Sequence, residues 1–185
     1  MTKRGVILYG PPTSGKDTIT AELTRQDDRF ALLPKLKAGT GRTTGYRAVS
    51  ADDLAALRQA GRLVIETERY GNRYAVDRHD VDDLTSGGRI PVVHVGNLAD
   101  LAELRTAVPL QWTTVRLWIP RQVCAERSRQ RGDKDTPARL RAWDETDADL
   151  SQGHPQLDAP FDLVIHTDQT TPAEAATCII EAVGF

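Results

Sequence analysis

Apolar runs at residues 5–9, 63–66, 90–95, 115–119 and 162–167 stand along the chain with helical patterns between most of them. Short runs of this kind read as buried strands, and strand–helix alternation predicts an α/β fold in which a five-stranded parallel sheet is wrapped by helices into a three-layer sandwich. Ser50-Ala51-Asp52-Asp53 opens one helix with a capping serine and an acidic first turn, Leu54, Leu57 and Ala60 supply its inner face, and Gly61 stops it. Thr171-Pro172 opens the last helix in the same way, with Ala176, Cys178, Ile179, Ile180 and Val183 along it. Asn97 reads as the cap of a helix over 98–106.

Two stretches depart from the alternation. Tyr70-Gly71-Asn72-Arg73-Tyr74 is a tight-turn sequence between two short strands, which predicts a hairpin over 63–76 outside the parallel core. Residues 34–47 hold three glycines, several threonines and Lys35, Lys37, Arg42 and Arg47 without periodicity, and read as a loop-rich basic insertion.

The first apolar run leads directly into Gly10-Pro11-Pro12-Thr13-Ser14-Gly15-Lys16-Asp17-Thr18. Strand, glycine-bounded loop and helix start is the arrangement in which successive backbone N–H groups face one point and cradle a nucleotide's phosphates. Gly10, Pro11, Thr13, Ser14, Gly15, Lys16, Asp17 and Thr18 are therefore the expected nucleotide-binding residues, with Lys16 the mobile cation for the β- and γ-phosphates. The position after the lysine, where a Ser or Thr is expected, holds Asp17, and the hydroxyl comes one residue later at Thr18. Either Asp17 contacts the metal or Thr18 supplies the hydroxyl. Asp17 is also explained by a carboxylate's preference for a helix N-terminus.

Composition narrows the partners. The 185 residues carry a formal net charge of −2, so no global field recruits nucleic acid or an anionic membrane, and anion binding must be local. Arginine makes up 19 of the 24 basic residues, and its guanidinium fork grips phosphate bidentately. Cys124 and Cys178 show no metal-ligand spacing and fit a reducing cytoplasm. No apolar run approaches a membrane span, which needs about 20 residues.

Phosphoryl transfer needs donor and acceptor held in line and the spreading negative charge neutralised. Residues 127–141 carry Arg127, Arg129, Arg131, Lys134, Arg139 and Arg141 around Gly132-Asp133 and suit an Arg-rich lid, with Arg131, Arg139 and Arg141 as catalytic candidates beside Lys16. The alternative is a solvated helix face with pairs such as Arg141 and Glu145.

The order of these parts resembles the guanylate-kinase-like branch of the nucleoside monophosphate kinases. Gly10 to Thr18 resembles that family's phosphate loop, Tyr46-Arg47-Ala48-Val49-Ser50 its YxFVS segment, Gly71-Asn72-Arg73-Tyr74 its GNxYG turn, and Arg131-Gly132-Asp133 its lid arginine and glycine. The resemblance implies a P-loop NTPase fold, ATP and Mg²⁺, acceptor-phosphate contacts from Tyr46 and Tyr74, and a single kinase domain over 1–185. Its core would be 1–33, 77–126 and 150–185, its acceptor-binding β insertion 34–76 and its lid 127–149. Lys37, Arg42, Tyr46, Glu66, Tyr74 and His94 are the acceptor-binding candidates. The expected protein is a cytoplasmic monomer or homodimer acting on a phosphorylated small molecule, without nucleic-acid or membrane partners.

Departures from the family pattern point away from GMP. Its TTRxxRxGE stretch, whose glutamate reads guanine together with a second carboxylate in the next strand, is Lys35-Leu36-Lys37-Ala38-Gly39-Thr40-Gly41-Arg42-Thr43-Thr44-Gly45 here, the strand position falls near Ile65 with Glu66 adjacent, and its DID strand end is Val92-Val93-His94-Val95-Gly96-Asn97, without a carboxylate. A strand neighbour points to the opposite face. Ribose 1,5-bisphosphate phosphokinase is a second resemblance, on GKD plus a hydroxyl residue and on the missing guanine-reading carboxylates. His94, at the carboxyl end of a central strand, is a base candidate for an alcohol acceptor, with Asp17 and Glu66 as rivals. A non-catalytic nucleotide-binding interaction module is the reading from another class. Intact Gly10, Gly15 and Lys16 favour the enzyme.

Overall fold

In chain order the elements are β1 (Arg4–Tyr9), α1 (Lys16–Gln26), β2 (Phe30–Leu32), β3 (Lys35–Ala38), β4 (Tyr46–Ala48), α2 (Ala51–Gln59), β5 (Leu63–Arg69), β6 (Asn72–Asp77), α3 (Arg78–Ser86), β7 (Ile90–Val95), α4 (Leu98–Ala107), β8 (Gln111–Trp118), α5 (Arg121–Gln130), α6 (Thr136–Gln152), β9 (Leu163–His166) and α7 (Pro172–Val183). The structure is a computed structural model that describes residues 3–41, 43–69 and 71–184.

β1 is buried on both faces, as an apolar run without alternation requires. It lies at the centre of a five-stranded sheet of order β2-β7-β1-β8-β9, in which every pairing is parallel. Val6 and Leu8 face one layer, with Ile19 and Leu23 of α1 and Ile179 and Val183 of α7. Ile7 and Tyr9 face the other, with Val81 of α3 and Leu98, Leu101 and Leu104 of α4. Period-two alternation along one strand thus supplies two cores and a three-layer sandwich.

The apolar run at 63–66 belongs elsewhere. β5 pairs antiparallel with β6 in a separate four-stranded sheet of order β4-β3-β6-β5. Its hairpin closes with Arg69 opposite Asn72 and Gly71 at φ 69, where the turn sequence places it; Tyr70 lies outside the described residues. The fifth parallel strand is instead β2, whose three residues are too short to register as an apolar run. The stretch 34–47, expected as loop, contributes β3 and β4.

Local chemistry fixes the ends of these elements. Ser50 and Asp53 form a reciprocal capping box, as do Thr171 and Glu174. Asn97 accepts from the Asp100 N–H at 2.7 Å. The second sheet is anchored by Asp77, whose buried carboxylate accepts from the Arg62 guanidinium, the His79 N–H at 3.0 Å and Arg47 at 3.3 Å. Burial alone would raise the Asp77 pKa, but these hydrogen bonds and charges outweigh it and hold the carboxyl below its ordinary value.

Candidate active site

The loop between β1 and α1 leaves little space at its first residue. A β-carbon on Gly10 would come within 2.3 Å of the Leu117 carbonyl oxygen and 2.8 Å of Ser14 Oγ. Gly15 adopts φ 94 and begins α1 without a side-chain cap, leaving backbone donors of the first turn to a ligand.

The segment after β9 and helix α5 brace this loop. Thr13 sits at φ 61, a left-handed conformation that is uncommon for a threonine. Its carbonyl accepts from Arg127 Nη1 at 3.1 Å, and its hydroxyl donates to the Cys124 carbonyl at 3.5 Å. Arg127 also donates to the Thr167 carbonyl at 2.6 Å, and Thr167 Oγ1 donates to the Ser14 carbonyl at 2.9 Å. Arg127 is therefore a clamp on the loop.

Lys16 Nζ donates to the carbonyls of Gly10 at 2.7 Å and Pro11 at 2.8 Å and to Ser14 Oγ at 3.3 Å. Burial lowers its pKa to about 7, Asp17 counteracts this, and the charges of Arg69 and Lys35 reinforce it. A group that draws Lys16 off these carbonyls and restores its full charge must be anionic.

His94, at the end of β7 opposite Leu8, lies beside the loop. Its Nε2 is 2.8 Å from Thr20 Oγ1, and its Nδ1 is 3.7 Å from Asp17 Oδ1. Burial first, then the charges of Lys16 and Lys35, hold the imidazole neutral against the pull of Asp17.

A cavity of about 610 Å³ joins the loop to the second sheet. Strand register explains which side chains reach it. Lys37, Tyr74 and Thr67 occupy one row across β3, β6 and β5, and Asn72 and Arg69 the next on that face. Lys35, two residues from Lys37, shares their face opposite Tyr46 of β4. Lys37 Nζ donates to the Thr40 carbonyl at 2.6 Å and lies 5.7 and 5.8 Å from the ring centres of Tyr46 and Tyr74, which are themselves 5.2 Å apart. Gly39, at φ 140, is packed so closely that a β-carbon there would fall 1.9 Å from Asn72 Oδ1.

The candidate residues divide as follows. Gly10, Thr13, Ser14, Gly15, Lys16, Asp17, Lys37, Tyr46, Tyr74, His94, Arg131 and Arg139 all line this cavity. Pro11 is buried and offers Lys16 its carbonyl, while Thr18 is exposed and outside the lining. Arg139 Nε is 3.7 Å from Asp133 Oδ2. Arg141 opens onto a different depression with Arg121 and Arg129. Glu66 points to the other face of β5, where Arg58 holds its carboxylate. Arg42 lies outside the described residues. Beyond Arg139, α6 docks on the sheet: Trp143 Nε1 donates to the Ile119 carbonyl at 2.9 Å, and its ring centre is 5.2 Å from that of Trp118.

Sequence reading left Lys35, Thr67, Arg69 and Asp100 out of the candidate set, yet all four line the cavity. Thr67 Oγ1 donates to Asp100 Oδ2 at 2.5 Å, and Arg69 donates to the Gly96 carbonyl at 3.3 Å. Burial and the charge of Arg69 lower the Lys35 pKa, partly offset by Asp100. The available signal was period two: Lys35 and Lys37 around Leu36, and Thr67 and Arg69 after Ile65. Asp100 carries no such signal.

Among the described residues no three His, Cys, Asp or Glu side chains converge as a metal cluster. A divalent ion here would take few protein ligands and draw the rest from phosphate oxygens and water, the usual habit of nucleotide-bound metals. Of the two metal candidates only Asp17 faces the cavity.

No protein-family model matches the chain and no curated protein matches its sequence. Its architecture does have solved counterparts. The crystal structure of guanylate kinase from Anaplasma phagocytophilum superimposes with a TM-score of 0.67 over 97% of this chain and 84% of that one, at 16% identity. The fold is that of a guanylate-kinase-like P-loop kinase. A sugar kinase from Janibacter sp. superimposes on this P-loop kinase fold with a TM-score of 0.57 over 100% of this chain and 96% of that one, at 17% identity. Among the described residues, no helix is long and apolar enough to cross a membrane.

Proposed function

We propose that this chain is an ATP-dependent phosphotransferase whose acceptor is a phosphorylated small molecule other than GMP. The observation that carries the proposal is the single cavity in which the phosphate loop and Lys16 face the Lys37–Tyr46–Tyr74 cluster. One end suits the donor's phosphates and the other an acceptor's phosphate. In this reading the loop's backbone N–H groups wrap the β- and γ-phosphates, and Lys16 exchanges the Gly10 and Pro11 carbonyls for phosphate oxygens. The divalent ion, held through Asp17, would neutralise phosphate charge. Arg131 and Arg139 close over the transferred group from the 127–149 segment, which acts as a lid, and exclude water.

GMP is disfavoured by the chemistry of the cavity's interior. A guanine site needs placed hydrogen-bond acceptors, because unpaired polar groups on a base are costly to bury. Ile65 is apolar, Glu66 is turned away to Arg58, the Asp100 carboxylate already accepts from Thr67, and the same part of the lining offers Lys35 and Arg69. That cationic interior favours a sugar phosphate over a purine nucleotide, and a ribose 1,5-bisphosphate phosphokinase is the second reading. A binding module without catalysis has less support, since Gly10, Gly15 and Lys16 stand intact and Arg127 braces the loop.

The test is ADP formation from ATP and divalent metal against GMP, other nucleoside monophosphates, ribose 1,5-bisphosphate and simple sugar phosphates, with Lys16→Ala as the blank. Acceptor-dependent turnover lost in the variant supports the reading. ATP binding with no turnover on any acceptor would favour the binding module.

A further inference from the structure

A carboxylate of α6 serves a backbone donor at the start of α4. The Leu98 N–H donates to Asp149 Oδ2 at 2.7 Å, and the Tyr9 hydroxyl donates to the same oxygen at 3.2 Å, which is long for a bond from a hydroxyl. Leu98 is the first residue of α4, where the helix has no carbonyl of its own to offer the amide and where its dipole favours a negative charge. Asn97 takes the Asp100 N–H at 2.7 Å. The first turn of α4 is thus satisfied partly by its own cap and partly by a residue 51 positions further along the chain.

That first turn belongs to the cavity wall. Gly96, Asn97 and Asp100 line the cavity, whereas Asp149 does not. From the acceptor sheet, Arg69 donates to the Gly96 carbonyl at 3.3 Å and Thr67 to Asp100 Oδ2 at 2.5 Å. From α6, Thr146 Oγ1 lies 3.4 Å from the same Gly96 carbonyl, one turn before Asp149. Residues 96–100 are therefore held by contacts from β5 and from α6 together, and the shortest bond from α6 is the one that Asp149 accepts.

We propose that Asp149 is a positioning residue for the acceptor: through the Leu98 N–H it sets the place of residues 96–100, and with them Arg69 and Thr67 at the interior of the cavity. The proposal rests on the phosphotransferase reading, in which that interior receives the acceptor. Asp149 acts through the wall and touches no substrate. The same helix carries Arg139 ten positions earlier, about 15 Å away along its axis. One rigid element therefore presents an arginine at the phosphate end and fixes the wall at the acceptor end.

The test is steady-state kinetics of the full chain with the acceptor that the panel above turns over fastest. Asp149→Leu should raise the acceptor KM about tenfold or more and leave the ATP KM unchanged, because a buried N–H loses its charged partner. Asp149→Asn keeps an oxygen for Leu98 and should restore most of the loss. Asp149→Glu, which keeps the charge but moves it by one methylene, should give a smaller rise and covers the case in which the leucine variant fails to fold. Tyr9→Phe removes only the longer bond and should lower the Tm without moving the acceptor KM. An unchanged acceptor KM in the leucine and glutamate variants, or an equal rise in Tyr9→Phe, makes the contact one of stability alone and overturns the proposal. Amide hydrogen exchange gives a readout without turnover: residues 96–100 and 67–69 should exchange faster in Asp149→Leu, with residues 10–16 as in the wild type. Unchanged exchange at 96–100 and 67–69 also overturns the proposal. The expected exchange pattern in a protein that turns over no acceptor would support the placement of the wall and overturn the phosphotransferase reading instead.

Discussion

Arg127 donates to the main-chain carbonyl of Thr13 across 3.1 Å, and so a residue of helix α5 holds the one non-glycine residue with positive φ among those described. The same guanidinium grips Thr167, so the loop's shape depends on an arginine that never faces the cavity's acceptor end. Arg127→Ala should raise the KM for ATP about tenfold or more and leave the acceptor KM unchanged. Hydrogen bonds to a charged group contribute about 1.5–3 kcal/mol each. Arg127→Lys should recover little, because one ammonium cannot reproduce a forked contact. Steady-state kinetics against each substrate in turn checks both.

Lys16→Ala should abolish turnover with the far-UV circular dichroism spectrum intact. The loss should be at least of the order of 2.7–4 kcal/mol in activation free energy, the scale for deleting one preorganised donor. Comparable rates for the two proteins would remove Lys16 from the chemistry.

Nucleotide binding should take up a proton. Burial pushes the Lys16 ammonium down to about 7 from its ordinary 10.5. Between those values the unfolded chain binds more protons than the folded one, so this residue makes stability rise with pH across the window. Phosphate restores the ammonium. Calorimetry at pH 8.5 in buffers of different ionisation enthalpy should report about one proton absorbed per nucleotide, and none in Lys16→Met.

Lys37→Met should raise the acceptor KM by tenfold or more while ATP affinity stays constant. Glu66→Gln should leave the acceptor KM unchanged, because the Glu66 carboxylate pairs with Arg58 on the opposite face of β5. An acceptor defect in Glu66→Gln would place the substrate on a different surface.

Asp77→Ala should destabilise the fold by about 3–5 kcal/mol, the cost of breaking a buried ion pair from one side. It strands Arg62 and removes the cap of α3 together. Denaturant unfolding measures it directly.

The shape of the loop between β1 and α1 was legible because its motif encodes backbone geometry: Gly10 has no room for a side chain, and Gly15 has a left-handed φ. The hairpin was legible for a similar reason, since Gly71 supplies the turn. β2, β3 and β4 were not, because strands of three or four residues carry too few positions for periodicity and owe their existence to partners distant in sequence. Lys35, Thr67, Arg69 and Asp100 escaped notice for a different reason, their convergence being a product of tertiary pairing. They meet only after β3, β6 and β5 pair in register and α4 packs against them, and a one-residue slip would turn the strand side chains to the other face.

The contact of Trp143 with Trp118 and the Ile119 carbonyl gives the molecule an optical gauge. α6 carries Arg139 at one end of a rigid helix and Trp143 one turn further on, against the sheet. Any swing of that helix that moves Arg139 relative to the phosphate loop also alters the packing of two indoles and the hydrogen bond of one. Tryptophan emission, from a chain with only three such residues, would therefore record any such swing in real time without an attached dye. It would also distinguish a rotation of the whole helix, which disturbs Trp143, from a bend confined to the residues before it, which leaves the emission unchanged.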